Sequence, residues 1–162
     1  MEGALDMAIT ASVEEKAEKA LVAALKLHAD LVALSAADAD FVMRYGDQSI
    51  SRALPKVLVR CEEVITPSHG DEGIYVAQME IEAVTRTTDD ANGDTANKAI
   101  AAVRDAFNSG ANFITDLESI GGIDVRGVRR PPSRSSDTRR ADSNKQHRRT
   151  LLREIIIDLI NV

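Results

Sequence analysis

Apolar residues recur at three- and four-residue steps along the first part of the chain, which is the spacing of one face of an α-helix. The stripe consists of Ala17, Leu21, Ala24, Leu25, His28, Leu31 and Leu34. It predicts an amphipathic helix over residues 13–34. Ser12 and Glu15 have the spacing of a capping box, in which each side chain binds a free backbone N–H at a helix start. We therefore interpret residues 1–11 as a flexible N-terminal arm.

Two stretches in the middle of the chain alternate between apolar and polar residues, the period of a β-strand with one buried face. In the first, residues 56–64, the apolar face holds Val57, Val59 and Cys61. In the second, residues 74–86, the apolar face holds Tyr75, Ala77, Met79, Ile81 and Ala83, and the polar face holds Gln78, Glu80 and Glu82. The pattern predicts an antiparallel pair of strands that packs on one side only.

Shorter signals predict the segments around this strand pair. Residues 35–52 are small, polar or turn-forming, so we expect an irregular connection with room for a short strand at residues 41–43. A second apolar stripe consists of Ala96, Ala99, Ile100, Val103, Ala106 and Phe107. It predicts a helix that Asp94 or Thr95 can cap. Residues 113–120 form a short apolar bridge, and residues 123–128 suggest a third strand.

The C-terminal segment, residues 151–162, fits either a helix stripe or one face of a strand. Three consecutive β-branched residues and the short length favour a strand, which we expect to pair back on residues 123–129. Between the two strands, residues 131–146 have no apolar residue apart from Ala141 and cannot bury enough surface to offset their ordering entropy. We therefore predict that residues 130–149 form a mobile Arg-rich loop.

Together these elements predict an α+β fold with the order α-β-β-α-β-β. We expect a mostly antiparallel sheet, two helices packed on one of its faces and a long basic hairpin loop. The chain has 162 residues, of which 44% are apolar, enough for one buried core. We therefore assign residues 12–162 to a single domain.

Charge and cysteine content narrow the class of protein. The formal net charge of -6 argues against the whole chain acting as a nucleic-acid-binding domain. The one cysteine, Cys61, excludes an intrachain disulfide. The N-terminus lacks the basic and apolar regions of a signal peptide, and no apolar run is long enough to span a membrane. We expect the protein to be made and to fold in a reducing cytoplasm, without contact with a membrane.

Candidate catalytic and metal-binding residues are scattered. His28, His69 and His147 lack the spacing of a zinc site, and there is no P-loop, nucleophile elbow or CxxC motif. Glu80 and Glu82, with Glu62 opposite, could do acid–base chemistry only in a cleft that shifts their pKa values. We interpret this acidic strand face as a solvated surface or a subunit contact. We predict no enzyme activity and no cofactor; a site built from Glu80, Glu82 and His69 stays a weak alternative.

Basic residues are concentrated near the C-terminus, where residues 126–149 hold nine Arg or Lys and two acids. The arginines of interest are Arg129, Arg130, Arg134, Arg139, Arg140, Arg148 and Arg149. Three interpretations remain open: a solvated loop, a contact with an acidic partner, and a contact with a phosphate backbone. Without interleaved aromatics, the last would be electrostatic and independent of nucleotide sequence.

A family resemblance lies in the central stretch. Residues 53–63 read ALPKVLVRCEE, residues 73–82 read GIYVAQMEIE, and a TTDD turn follows at residues 87–90. These two strands, the turn and the helix at residues 98–107 resemble those of the tail-terminator, or tail-completion, proteins of long-tailed bacteriophages, which include the minor tail protein U type. The resemblance covers about a third of the chain well. An Arg-rich hairpin is not a hallmark of that family.

The resemblance implies a subunit with the order α-β-β-α-β-β that assembles into a ring, typically a hexamer. Such a ring caps the tail tube, joins tail to head, and contacts the tube protein and the neck or connector proteins of the virion. It contains no catalytic residues. The acidic strand face and the basic loop would be complementary patches between neighbouring copies, or the loops would contact DNA in the channel. A neck or head-completion connector is the near alternative, and a small cytoplasmic nucleic-acid-binding or adaptor protein is the alternative from another class.

Overall fold

The computed structural model describes residues 2–47, 54–66, 73–132 and 139–158. Over these ranges the chain has a mixed α+β fold with four helices and a mostly antiparallel sheet, so the predicted fold class is confirmed. The helices are α1 (Glu2–Lys26), α2 (Ala29–Leu34), α3 (Asp94–Asn108) and α4 (Ala111–Gly121). The strands are β1 (Val42–Arg44), β2 (Lys56–Ile65), β3 (Ile74–Arg86), β4 (Asp124–Arg129), β5 (Arg139–Asp142) and β6 (Gln146–Asp158).

The strand order across the sheet is β1-β2-β3-β6-β4, and β5 also pairs with β6. β1 runs parallel to β2, and the other pairs are antiparallel. β3 pairs along the whole of β6, from residue 146 to residue 158. On the other side of β6, β4 pairs with residues 154–158 and β5 with residues 147–150. The two short strands therefore lie end to end along one edge of β6.

The predicted central strand pair is confirmed, and it builds the core. β3 has the bounds that the alternation predicted, and β2 extends one residue further, to Ile65. The apolar residues expected on one face are buried: Val57, Val59, Ala77, Met79, Ile81 and Ala83. They pack against helix residues that include Leu21, Leu25, Ile100, Val103 and Leu117. Because burying one large aliphatic side chain contributes about 1.5–3 kcal/mol, this layer between helices and sheet is a main source of stability.

The first helix differs from its prediction at both ends. α1 begins at Glu2, so Ser12 and Glu15 lie inside the helix, and the segment predicted as a flexible arm is helical over residues 2–11. α1 ends at Lys26, and the extended backbone of His28, with ψ of 123°, separates it from α2. The apolar spacing continues across this break because Leu25 and Leu31 are buried in the same core. The periodicity of apolar residues therefore did not reveal the break between α1 and α2.

Two helices, α3 and α4, occupy the region where one helix and an apolar bridge were predicted. α3 confirms the helix, and the bridge is wrong, because residues 111–121 are helical. Phe113 and Leu117, four residues apart, are buried on α4, and the Phe113 ring lies 4.8 Å from that of Phe107. Gly122 ends the helix in the left-handed conformation, with φ of 68°. The described chain thus contains four helices rather than two.

The C-terminal strand and its pairing are confirmed as far as Asp158. β6 pairs with β4, as the β-branched run predicted, and residues 159–162 lie outside the described residues. The mobile loop predicted over residues 130–149 differs from the structure, because β5 and the start of β6 fall within it. Residues 133–138 of that loop lie outside the described residues.

Candidate interaction surface

Charged side chains pair across strands on the sheet face opposite the helices. Arg60 of β2 donates a hydrogen bond of 2.5 Å to Glu80 of β3, and Arg148 of β6 donates one of 2.5 Å to Glu82. Glu80 and Glu82 were expected to form an acidic face that is either solvated or in contact with another subunit. Both carboxylates instead pair with arginines of the same chain. These two residues therefore do not form an uncompensated acidic patch.

Two further pairs continue this row to the far edge of the sheet. Glu154 of β6 accepts hydrogen bonds from Arg129 at 2.7 Å and from Gln78 at 3.2 Å. Asp158 accepts one from Arg126 at 2.9 Å. The carboxylates are buried, whereas the side chains of Arg129 and Arg126 are 50% and 57% exposed. We call the four pairs Arg60–Glu80, Arg148–Glu82, Arg129–Glu154 and Arg126–Asp158 the ion-pair ladder.

Glu62 adds a fifth carboxylate beside the ladder. The guanidinium of Arg60 lies 3.7 Å from the Glu62 carboxylate as well as contacting Glu80. Burial, and then the neighbouring Glu62, raise the pKa of Glu80 above its ordinary value, while Arg60 opposes the shift. A carboxyl group with a raised pKa can act as a general acid only beside a reacting group. His69, the partner considered for it, lies outside the described residues, so the structure does not bring the two together.

A second polar cluster lies on the helix-covered face of the sheet, beneath the start of α3. Arg149 of β6 is fully buried there. Its Nε donates a hydrogen bond to Asn97 of α3 at 2.7 Å, and its Nη1 donates one to Asp142 of β5 at 2.6 Å. We call Arg149, Asn97, Asp142, His147 and Asp90 the Arg149 cluster. Because Arg149 joins three elements inside the fold, it is unavailable to a partner, contrary to the prediction.

Asp142 and His147 complete the link between the β5–β6 hairpin and α3. The Arg149 guanidinium, and then His147, lower the pKa of Asp142 to about 2. The Nδ1 atom of His147 lies 2.9 Å from Asp142 Oδ1, and its Nε2 lies 3.3 Å from the carbonyl oxygen of Ala91. Both partners are acceptors, so the doubly protonated ring satisfies both contacts. The hydrogen bond to Asp142 accordingly raises the pKa of His147.

Asp90 caps α3, which corrects the prediction that Asp94 or Thr95 would do so. Its carboxylate accepts hydrogen bonds from the backbone N–H groups of Thr95 and Ala96 and from the Thr85 hydroxyl. Burial favours a higher pKa for Asp90, but these bonds outweigh it and hold the pKa below its ordinary value. The chain reaches the helix through Gly93, whose φ is 74°. Sequence patterns did not predict Asp90 as the cap, because it lies three residues before the N-cap residue Gly93 and capping side chains usually stand at the N-cap itself.

Gly93 is required by the close approach of Arg149. A Cβ atom at Gly93 would lie 2.6 Å from Nη2 of Arg149, which is closer than real Cβ contacts. The left-handed backbone conformation at this position also favours glycine. Arg149 Nη2 is buried and has no hydrogen-bond partner in the described structure. Both the backbone conformation and the Arg149 and His147 side chains packed against this position therefore favour glycine at residue 93.

The basic residues predicted as one loop are thus divided among different environments. Arg129 and Arg148 belong to the ion-pair ladder, and Arg149 is internal. Arg139 and Arg140 are exposed on β5, and Arg130 is exposed after β4. Arg134 lies outside the described residues. Arg139 and Arg140, both exposed on β5, are the arginines that we consider for contact with an external partner.

The two outer edges of the sheet are only partly covered. β1 pairs with residues 57–59 of β2. Just beyond, Glu18 of α1 accepts a hydrogen bond of 2.8 Å from the Cys61 N–H and pairs with Arg44 at 2.9 Å. Among the described residues, no strand pairs with the outer side of β2 after this point, and none pairs with the outer side of β4. Free strand edges are ready-made sites for pairing with another chain.

The other residues considered for catalysis or metal binding lie outside these two clusters. Burial raises the pKa of the Cys61 thiol to about 12, so it is protonated at neutral pH and unsuited to nucleophilic chemistry. The described residues contain no group of three His, Cys, Asp or Glu placed to hold a metal ion. Within the same ranges, no helix is both long and apolar enough to cross a membrane.

Comparisons with known proteins add no family assignment. No protein-family model matches the chain, and no curated protein matches it at significant similarity.

Proposed function

We propose that this protein is a structural subunit of a bacteriophage virion, which forms an oligomeric ring, caps the tail tube and joins tail to head. The observation that carries the proposal is the resemblance of residues 54–107 to tail-terminator and tail-completion proteins. These residues supply β2, β3 and α3; β2 pairs with β3, and α3 packs on β3. A resemblance concentrated in contacting elements supports a common subunit architecture and a common mode of assembly.

The two unlike edges of the sheet support assembly into a ring. A closed ring requires a heterologous contact, in which one patch meets a different patch on the next copy. The outer side of β2 carries the exposed residue Glu63, whereas the Arg129 side chain on β4, which binds Glu154 of its own chain, is 50% exposed. Contact between Glu63 and Arg129 favours a head-to-tail arrangement over contact of like edges.

This arrangement replaces the pair of patches first considered. Glu80 and Glu82 are compensated within the chain by Arg60 and Arg148, so they contribute little net charge to a neighbouring copy. The ring contact accordingly involves the sheet edges rather than the acidic strand face.

Electron microscopy of phage particles that lack this protein tests the proposal. A terminator stops polymerisation of the tail tube, so its loss is expected to give over-long tails. Free heads and free tails of normal length would indicate the alternative, a neck or head-completion connector. Particles with intact tails and joined heads would contradict both functions.

Arg139 and Arg140 give a specific reason to test DNA binding as a second function. Both are exposed on β5, outside the ion-pair ladder. Contact with a phosphate backbone through them predicts binding to duplex DNA that weakens steeply with salt and is lost in the Arg139→Ala/Arg140→Ala variant. Fluorescence anisotropy measures this directly. Absent or salt-insensitive binding by the unmodified protein would eliminate this function.

A further inference from the structure

The edges of β2 and β4 that no described strand pairs lie at the same level of the sheet. Glu63 of β2 is opposite Gln78 of β3, Gln78 is opposite Glu154 of β6, and Glu154 is opposite Arg129 of β4. One residue further along, the corresponding row runs from Val64 to Val128, and the next runs from Ile65 to Gly127. Residues 63–65 and 127–129 are therefore the two ends of the same three rows.

The strand directions allow the sheet to continue from one copy to the next. β3 is antiparallel to β2, β6 is antiparallel to β3, and β4 is antiparallel to β6. β4 consequently runs opposite to β2. If neighbouring copies are related by rotation about an axis along the strands, β2 of one copy meets β4 of the next as an antiparallel pair. Such a contact preserves the three rows without a register shift.

The side chains at the ends of each row are complementary. Glu63 would face Arg129, whose half-exposed guanidinium binds Glu154 within its own chain and would contact a second carboxylate across the strands. Val64 and Val128 are both partly buried against the helix-side core, and pairing would complete their burial. Ile65 is 39% exposed, and a Cβ atom built at Gly127 would meet nothing within 4 Å. Gly127 therefore offers space where Ile65 would pack.

We propose that copies of this chain associate head to tail by pairing the free edge of β2, residues 63–65, with the outer edge of β4, residues 127–129. In this contact the β2 edge of one copy pairs with the β4 edge of a second copy. The inference rests on the proposed ring and specifies its interface. It involves no residue of the Arg149 cluster, so the contact can form without rearrangement of the subunit core.

Disulfide trapping between two different chains tests this contact. In a Cys61→Ala background, one chain carries Glu63→Cys and the other carries Arg129→Cys. Directly opposite residues on antiparallel strands have Cα atoms about 4.5–5.5 Å apart, within the range of a disulfide. We expect a covalent dimer when the chains are mixed and oxidised, and none from either chain alone. Because Arg129→Cys leaves Glu154 without its arginine, Val64→Cys with Val128→Cys provides a second pair that keeps the ladder intact.

The controls separate failure of this interface from failure of the proposed function. Asp30→Cys, at an exposed position on α2, replaces Glu63→Cys in a matched mixture and is expected to give no covalent dimer. A covalent dimer of Glu63→Cys with itself would overturn the head-to-tail contact. Oligomers seen by light scattering without trapping by either pair would overturn this interface and leave the ring standing. A chain that is monomeric and untrapped overturns the inference, while the particle phenotype still tests the function.

Gly127→Val tests the same contact without introducing a thiol. The backbone at Gly127 is not in the left-handed region, and valine favours strands, so the subunit is expected to fold normally. Its side chain would fill the space assigned to Ile65 of the neighbouring copy. We expect at least a tenfold weaker association than in the unmodified protein. Unchanged association of a folded Gly127→Val variant would contradict the pairing.

Discussion

Arg148 and Arg149 are adjacent in the chain but lie on opposite faces of β6, and their ion pairs have opposite arrangements. On the open face, Arg148 is 38% exposed and its partner Glu82 is largely covered. On the helix face, Arg149 is fully buried and its partner Asp142 is 47% exposed. The contact distances are nearly equal, 2.5 and 2.6 Å. Burial of the arginine, rather than distance to its partner, decides how much each pair contributes to stability.

The difference assigns the two faces to different roles. An exposed pair is weakened by solvent screening and contributes roughly 0–1 kcal/mol, so the ladder is a surface whose charges neutralise one another. A buried arginine that loses a partner leaves an unsatisfied polar group at a cost of about 1–3 kcal/mol. We therefore expect the Arg149 cluster to contribute more to the stability of the fold than the ion pairs of the open face.

The largest effect on the free energy of unfolding is expected when Arg149 is truncated to alanine. Arg149→Ala leaves a cavity, and the Asn97 side chain loses its partner, so we expect the free energy of unfolding to fall by about 3 kcal/mol. Arg148→Ala is the matched control, with an expected loss below about 1 kcal/mol. Urea denaturation followed by circular dichroism measures both. Equal losses in the two variants would abolish the distinction between the faces.

A smaller effect is expected from adding a methyl group beside Arg149. Gly93→Ala places Cβ against the guanidinium and forces alanine into the left-handed conformation, which together cost about 2 kcal/mol. Gly127→Ala lies in open space on β4 and should change the free energy of unfolding by less than about 0.5 kcal/mol. Thermal denaturation of both variants distinguishes them. A stable Gly93→Ala protein would mean that Arg149 does not approach this backbone.

The cap of α3 provides a third comparison, between Asp90 and Asp94. Asp90→Ala removes the acceptor for two helix N–H groups and should lower the free energy of unfolding by about 1 kcal/mol. Asp94→Ala, at the position predicted from sequence as a cap, should have a smaller effect. Chemical denaturation of the two variants checks the order, and a larger loss for Asp94→Ala would reverse the assignment.

The smallest effect is expected from pH, through the exposed side of the Arg149 cluster. His147 has a raised pKa in the folded protein, so its contribution is full below about pH 6.5 and is lost as pH rises through the folded pKa. Asp142 has a lowered pKa, so its contribution is present above about pH 4 and is lost as pH falls toward its pKa of about 2. Urea midpoints across pH should show a decline above neutrality that His147→Gln removes. An identical pH profile in that variant would refute the role of His147.

Local patterns predicted the central elements well. The alternation at residues 74–86 gave the bounds of β3 because one face of that strand is buried from Ala77 to Thr85. The β-branched run at residues 155–157 correctly favoured a strand over a helix, and β6 pairs with β4 as expected. In both segments the local preference and the long-range packing favour the same structure.

The features that were predicted wrongly depend on contacts between residues that are distant in sequence. Arg149 is ordered by Asn97, 52 residues away, and the polar segment around β5 becomes structured through such bonds rather than through apolar burial. Composition therefore predicted a loop. The acidic face at Glu80 and Glu82 was similarly misjudged, because its arginine partners come from other strands whose register the sequence does not reveal.

We propose that the open edges of the sheet, rather than its acidic face, assemble copies of the chain into a ring. Size-exclusion chromatography with light scattering, over a range of protein concentrations, tests this assembly when the unmodified protein is compared with Gly127→Val. We expect a closed oligomer of one discrete mass for the unmodified protein and its dissociation in the folded variant. A strictly monomeric unmodified protein at the highest concentration, or an oligomer indifferent to Gly127→Val, would contradict it.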